Sequence, residues 1–261
     1  MSSRDVIKRE ILEVFRKSVK GKKPDLQGFN SRHDGAEGDW LTKQMGLTVN
    51  GKNEPDFKGF EMKKESPKTT FGDWGPDSGL YIKNSTSPIP RLSRIEFLNI
   101  FGQPSTDTSG RKVGRYSWSG TVFPKIGNVN SFGQTLRVDS KNNVNAVYSF
   151  TKDQRSNKSK LVPPDLQIQN LTLVQWTSIG LKTRLERKFN NFGWFKCFKD
   201  ENGIYSGIQF GYPINFEIFI ELVRLGSVFC DCGMYSTNPR PYMTWRANKN
   251  IWDSLAEETI Y

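Results

Sequence analysis

The sequence predicts a mixed α/β (α+β) fold, and three stretches carry that expectation. Residues 4–19 repeat apolar side chains at helical spacing, with Val6, Ile7, Ile11, Phe15 and Val19 on one stripe. Residues 143–150, NVNAVYSF, alternate as a half-buried strand does, placing Val144, Ala146, Tyr148 and Phe150 on one face. Residues 198–210, FKDENGIYSGIQF, read as a hairpin turning at Asn202-Gly203.

The elements follow in order. Ser2 or Ser3 can cap the first helix. Residues 35–47, GAEGDWLTKQMGL, predict a short helix ending at Gly46 with Trp40, Leu41 and Met45 inward, and Asn50-Gly51 predicts a turn. Residues 71–104 are rich in Gly, Pro and Ser, and RLSRIEFLNIFG within them is open to helix or loop. Residues 110–165 read mainly as strands and loops. NKSKLVPPD (157–165) is expected to be an exposed connection at the boundary of two lobes, 1–160 and 161–261, with interleaving of the two left open. A helix near 177–188 follows. Another is capped by Asn215, faces inward with Phe216, Phe219, Ile220 and Val223, and stops at Gly226. A strand, SVFCDCGMY, then leads into STNPRPYMTWRANKN, which is polar, aromatic and basic together.

Composition narrows the function. Lys and Arg total 38 against 27 acids among 261 residues, a net charge of +11. Such an excess favours polyanions, because basic side chains at phosphates release condensed counterions. It is equally compatible with an ordinary basic protein. No run reaches membrane-spanning length and MSSRDVIKRE lacks an apolar signal core, so a cytoplasmic protein without a membrane partner is expected. Three cysteines exclude a complete disulfide framework. Cys197, Cys230, Cys232 and His33 match no usual zinc spacing, so buried free thiols are the expectation.

The chemistry gathers at EPDFKGFEMKKES, residues 54–66. Along a strand, Phe60 and Met62 face one way and Glu61 and Lys63 the other. Pro55 favours extended chain before it, and a bend at Gly59 can carry Asp56 beside Glu61. Two adjacent carboxylates repel, and a divalent cation removes that cost. Mg2+ takes one or two carboxylates, to which the Met62 carbonyl can add an oxygen. A neighbouring ammonium, Lys63, can orient or deprotonate a water and balance charge on a phosphorane-like transition state. A surface hairpin with three solvated charges is the competing reading.

PDFKGFEMKK, with LTKQMGLTVNGKNE before it, resembles the PD-(D/E)XK motif of the MvaI/BcnI group of type II restriction endonucleases, which are related to the MutH mismatch-repair nickase. The resemblance is dense over residues 35–64 and looser over 71–81 and 230–248. It implies a restriction-endonuclease-like mixed sheet flanked by helices in a catalytic lobe, and a DNA-recognition lobe, clasping double-stranded DNA as a monomer. Asp56 and Glu61 would be metal ligands and Lys63 the catalytic lysine, with Mg2+ as cofactor. A cognate methyltransferase protecting the same site is implied too. The family glutamate on the preceding helix falls at Thr42 here, with Glu37 and Asp39 nearby as substitutes.

The same resemblance makes residues 230–248 a strand–loop–strand whose Tyr235, Ser236, Thr237, Asn238, Arg240 and Arg246 are candidates for DNA contact. Arg can bond bidentately to guanine and Asn to adenine. Lys20, Lys22, Lys23, Arg111, Lys112 and Arg115 are better suited to phosphates. The expected function is Mg2+-dependent cleavage of double-stranded DNA at a short specific sequence. A MutH-like nickase and a non-catalytic DNA-binding protein are the alternatives.

Overall fold

A computed structural model describes residues 2–27, 35–48, 52–82, 92–110 and 112–261. His33, the Asn50-Gly51 turn and Arg111 lie outside these. The chain forms two compact units, both built from separated segments.

The first unit comprises Met1–Thr69, Arg184–Phe216 and Asn248–Tyr261. Its helices are α1 (Ser3–Ser18) and α2 (Ala36–Gln44). Its sheet runs in the order β1 (Phe60–Lys64), β9 (Gly193–Lys199), β10 (Tyr205–Gly211), β13 (Ala256–Ile260), numbered along the chain with those below. Strand β1 runs parallel to β9, whereas β9–β10 and β10–β13 are antiparallel.

Ser2 caps α1 in a reciprocal box with Asp5, which satisfies otherwise orphaned amide groups. Ile11, Phe15 and Val19 join Trp40, Leu41 and Met45 against Phe60, Phe195, Cys197 and Phe210, burying one face of the sheet. Val6, expected in that stripe, is 44% exposed. It sits roughly 100° round the helix from Ile7, away from the centre of the face that Ile11 and Phe15 define. The opposite sheet face carries Trp194, whose ring meets Trp252 edge-on at 5.1 Å. Trp252 belongs to α7 (Lys249–Ser254) and also packs on Phe189, the last residue of α5 (Ser178–Phe189). The expected hairpin joins β9 to β10, with Gly203 at φ +77°.

The second unit comprises Thr70–Thr183 and Glu217–Ala247. One sheet orders β2 (Lys68–Asp73), β12 (Tyr242–Asn248), β11 (Val228–Tyr235), β5 (Tyr116–Ser119) and β4 (Gln103–Pro104). Another orders β3 (Ser78–Gly79), β8 (Leu171–Trp176), β7 (Val144–Asp153) and β6 (Phe132–Val138). The helix-or-loop question at 91–102 resolves as α3 (Arg94–Phe101), capped by Ser93 with Glu96 in a second reciprocal box. The helix expected after Asn215 is α6 (Phe216–Arg224), with Phe216, Phe219, Ile220 and Val223 buried.

Two expectations change. Strand β7 is not half-buried: Asn145, Val147 and Ser149 are buried along with Val144, Ala146 and Tyr148. It lies between two neighbours with both faces covered, so polar residues occupy interior positions. Gln175 donates to Asn145 at 2.7 Å, satisfying one of them. Residues 157–165 are not wholly exposed either. They form α4 (Lys158–Leu161) and the start of a single 3-10 turn, with Val162 buried. Residues 157–165 all belong to the second unit. Cys197, Cys230 and Cys232 are free, buried thiols whose pKa burial pushes up. Among the described residues no helix is long and apolar enough to cross a membrane.

Candidate active site

A two-residue turn builds the site. Phe57 and Phe60 exchange backbone hydrogen bonds, Phe57 N to Phe60 O at 2.9 Å and Phe60 N to Phe57 O at 2.8 Å. Lys58 (φ +45°) and Gly59 (φ +99°) form the corner, both left-handed as a type I′ turn requires. At Gly59 a Cβ would also stand 2.7 Å from the Phe192 ring, so glycine serves both conformation and space. The turn folds Asp56 back along β1, where its Oδ2 accepts the Met62 N–H at 3.0 Å. Strand β1 is the sheet edge, so this amide faces away from β9. A strand residue's N–H and C=O point to one edge, which puts the Met62 carbonyl on the Asp56 side.

Alternation along β1 does the rest. Phe60 and Met62 enter the core beneath α1 and α2, and Glu61 and Lys63 face the α5 side. They are not the solvated charges of a surface hairpin: Glu61 is 2% exposed and Lys63 5%. Lys63 Nζ donates to Glu61 Oε1 at 2.7 Å and lies 4.9 Å above the Phe189 ring. Lys188, near the end of α5, reaches the same Oε1 at 3.0 Å. Glu61 Oε2 is buried with no hydrogen-bond partner.

Burial and neighbouring charge set the electrostatics of the group. Asp56 is exposed on one side, yet protein crowds the rest of its carboxyl. That burial, with the Glu61 charge beside it, pushes its pKa up to about 6 against the pull of Lys63, the Met62 N–H and Lys188. Solvent at the open side screens part of the penalty. Burial holds the Lys63 ammonium below the usual lysine value, and Lys188 adds to this while Glu61 and Asp56 oppose it. An orphaned carboxylate oxygen beside a carboxyl of raised pKa fits a hard divalent ion, which needs only one or two carboxylates.

Glu37 does not join this group. Its carboxylate takes Lys199 at 2.8 Å, the Tyr205 hydroxyl at 2.9 Å and Lys64 at 3.9 Å, on the sheet face opposite Glu61 and Lys63. Thr42 spends its hydroxyl on the Gly38 carbonyl at 2.8 Å. Lys188 and Phe189 were not singled out from the sequence. They follow the motif by more than 120 positions, and a lysine at a helix C-terminus ordinarily reads as a dipole partner.

In the second unit, β11 and β12 pair antiparallel around the loop 236–241, a strand–loop–strand as expected. Thr237 and Arg240 are exposed on that loop. Asn238 shapes it, donating to the Gly233 carbonyl at 2.9 Å and accepting the Arg240 N–H at 3.0 Å. Ser236 Oγ accepts the Tyr116 N–H at 3.2 Å, and Arg246 pairs with Asp231 at 3.1 Å. Tyr235 lies under the Arg115 guanidinium, 4.4 Å from carbon to ring centre. Arg115 and Lys112 line a polar pocket of about 350 Å³ with Ser105, Asp107 and Ser117. In the first unit Lys20 and Lys23 are exposed, and Lys22 reaches Gln44 at 3.5 Å.

The sequence matches the family described as LlaMI restriction endonuclease over residues 19–260. The type II restriction enzyme ScrFI of Lactococcus lactis subsp. cremoris is 40% identical over 268 residues, covering 95% of this chain and 96% of that enzyme. Among solved structures, the complex of restriction endonuclease MvaI with its cognate DNA aligns with a TM-score of 0.56 at 15% identity, covering 100% of this chain and 98% of that one. At that identity the likeness speaks for the fold.

Proposed function

The chain belongs to the LlaMI restriction endonuclease family and is a type II restriction endonuclease, and from that premise we infer that it hydrolyses both strands of double-stranded DNA at a short specific sequence, with Mg2+ held by Asp56, Glu61 and the Met62 carbonyl. The observation that carries the reading is the bare, buried Glu61 Oε2 beside Asp56. When bound, Mg2+ supplies a polarised scissile phosphate and a water of lowered pKa.

The chain's own residues do the remaining work. Asp56 and Glu61 supply two hard oxygens from opposite sides of a two-residue turn, and the Asp56–Met62 hydrogen bond fixes their spacing. Lys63 Nζ, held by Glu61 and the Phe189 ring, orients the attacking water and balances charge developing on phosphate. Two lysines converging on one oxygen of a buried glutamate favour the nuclease over a degenerate, non-catalytic DNA-binding protein.

For recognition, the exposed Thr237 and Arg240 are the foremost base-reading candidates. Tyr235, Ser236, Asn238 and Arg246 hold the hairpin in shape and can meet DNA only by leaving part of their present bonding. Arg115 and Lys112 suit phosphates. The first unit, with Asp56, Glu61 and Lys63, is the catalytic lobe and the second the recognition lobe. The protein acts as a monomer, and a cognate DNA methyltransferase protects the same site.

Digestion of unmethylated plasmid and phage DNA tests the reading. Discrete fragments with Mg2+ and none with EDTA are expected. Open circles without fragments would instead indicate a strand-specific nickase, and intact DNA shifted on a gel would indicate a binding protein.

A further inference from the structure

We propose that Lys188 is a second functional lysine of the cleavage site, a positioning and charge-balancing residue acting through Glu61. The proposal rests on the catalytic reading above and deepens it. Lys188 stands in the last turn of α5, where a lysine usually extends into solvent. Here its side chain is only 16% exposed and its ammonium is 3.0 Å from Glu61 Oε1. Lys63 holds that same oxygen at 2.7 Å from within β1. The next residue, Phe189, packs under the Lys63 ammonium. One turn of helix thus clamps both members of a buried pair contributed by a strand.

The clamp has two consequences. Both ammonium groups occupy Oε1, so the carboxylate is turned with Oε2 free and unpartnered, the oxygen available to a cation. The charges also close in a particular way. When all are ionised, Asp56 and Glu61 cancel Lys63 and Lys188. A divalent cation and a singly charged phosphodiester then leave an excess of one positive charge. As the attacking water gives up its proton to solvent, a second negative charge builds on the phosphorane-like transition state, and that excess balances it. Without Lys188 the metal-free site carries a net negative charge, which binds Mg2+ more readily, and the transition state is left one charge short.

This predicts opposite effects on binding and on cleavage. Mg2+ affinity, read without DNA from the rise in melting temperature with Mg2+ concentration, should tighten about threefold or more in Lys188→Met, because a like charge is gone. Cleavage at saturating Mg2+ and DNA should slow by about tenfold or more, and Lys188→Arg should stay near the parent in both. Lys188→Gln carries the same reading if the methionine variant does not fold. Cleavage within about twofold of the parent would overturn the proposal and leave Lys188 a helix-end cation. Weakened Mg2+ binding together with lost cleavage would overturn it too, reducing Lys188 to a structural prop. If the parent protein itself does not cut DNA with Mg2+, the catalytic reading fails. If the parent cuts and Lys188→Met cuts equally well, this inference alone fails.

Discussion

Lys63 Nζ stands 2.7 Å from Glu61 Oε1, two residues away on the same strand face, with both side chains almost wholly buried. Removing one partner of a buried pair leaves the other charge without its counterpart. Lys188 remains on Glu61, so the loss is partial. Lys63→Ala should therefore destabilise the metal-free protein by about 1–3 kcal/mol and abolish cleavage. Urea denaturation beside a digestion assay measures both. A variant of unchanged stability would mean that the pair contributes nothing to the fold.

Asp56 makes stability depend on pH in an unusual direction for a carboxylate. Its folded pKa, about 6, lies above the ordinary value of 3.8. The protonated form is thus the better accommodated one in the fold. Its contribution is fully present below about pH 4 and is lost as pH rises through about 6. In EDTA at pH 8, Asp56→Asn should therefore melt at a higher temperature than the parent, with the difference shrinking towards pH 4. Mg2+ should raise the melting temperature of the parent and not of the variant. A lower melting temperature for Asp56→Asn at pH 8 would contradict the burial and repulsion assigned to this carboxyl.

Gly59 is required twice over, by φ +99° and by the Phe192 ring 2.7 Å from any added Cβ. Gly59→Ala should cost about 1–3 kcal/mol in strain. It should reduce cleavage further than stability alone explains, because the turn sets Asp56 against Met62. Chemical denaturation and single-turnover cleavage of the folded fraction separate the two effects.

Arg240 and Arg246 should behave differently. Arg240 is exposed at the hairpin loop, and its loss should leave the fold intact while relaxing discrimination at one base pair by about 1–3 kcal/mol. Arg246 is tied to Asp231 on the neighbouring strand, so Arg246→Ala should lower the melting temperature as well. Cleavage rates on the mapped site and its single-base variants check the first, and thermal melts the second.

The local parts of this structure were legible in the sequence because local rules govern them. Alternation in FEMKK assigns Phe60 and Met62 to the core and Glu61 and Lys63 to the other face, and Gly59 marks the bend that returns Asp56. The capped helices and the turn at Gly203 follow from short-range chemistry. What depends on distant chain was not legible. Lys188 reaches Glu61 only because α5 leads into β9, which pairs with β1. Strand β7 alternates like a half-buried strand, yet its polar residues are buried once neighbouring elements cover both faces. The division of the chain crosses 69/70, 183/184, 216/217 and 247/248, inside or beside regular elements, where no Pro- or Gly-rich linker signals it.

The cation-dependent cutting site proposed at Asp56, Glu61 and Lys63 depends on the Glu61 charge. The most direct test is a Glu61→Gln variant, which keeps the side chain's shape and removes its charge. It should shift target DNA on a gel as the parent does and yield no fragments at any Mg2+ concentration that supports the parent. Fragments identical to the parent's, at a comparable rate, would show that the chemistry lies elsewhere in the chain.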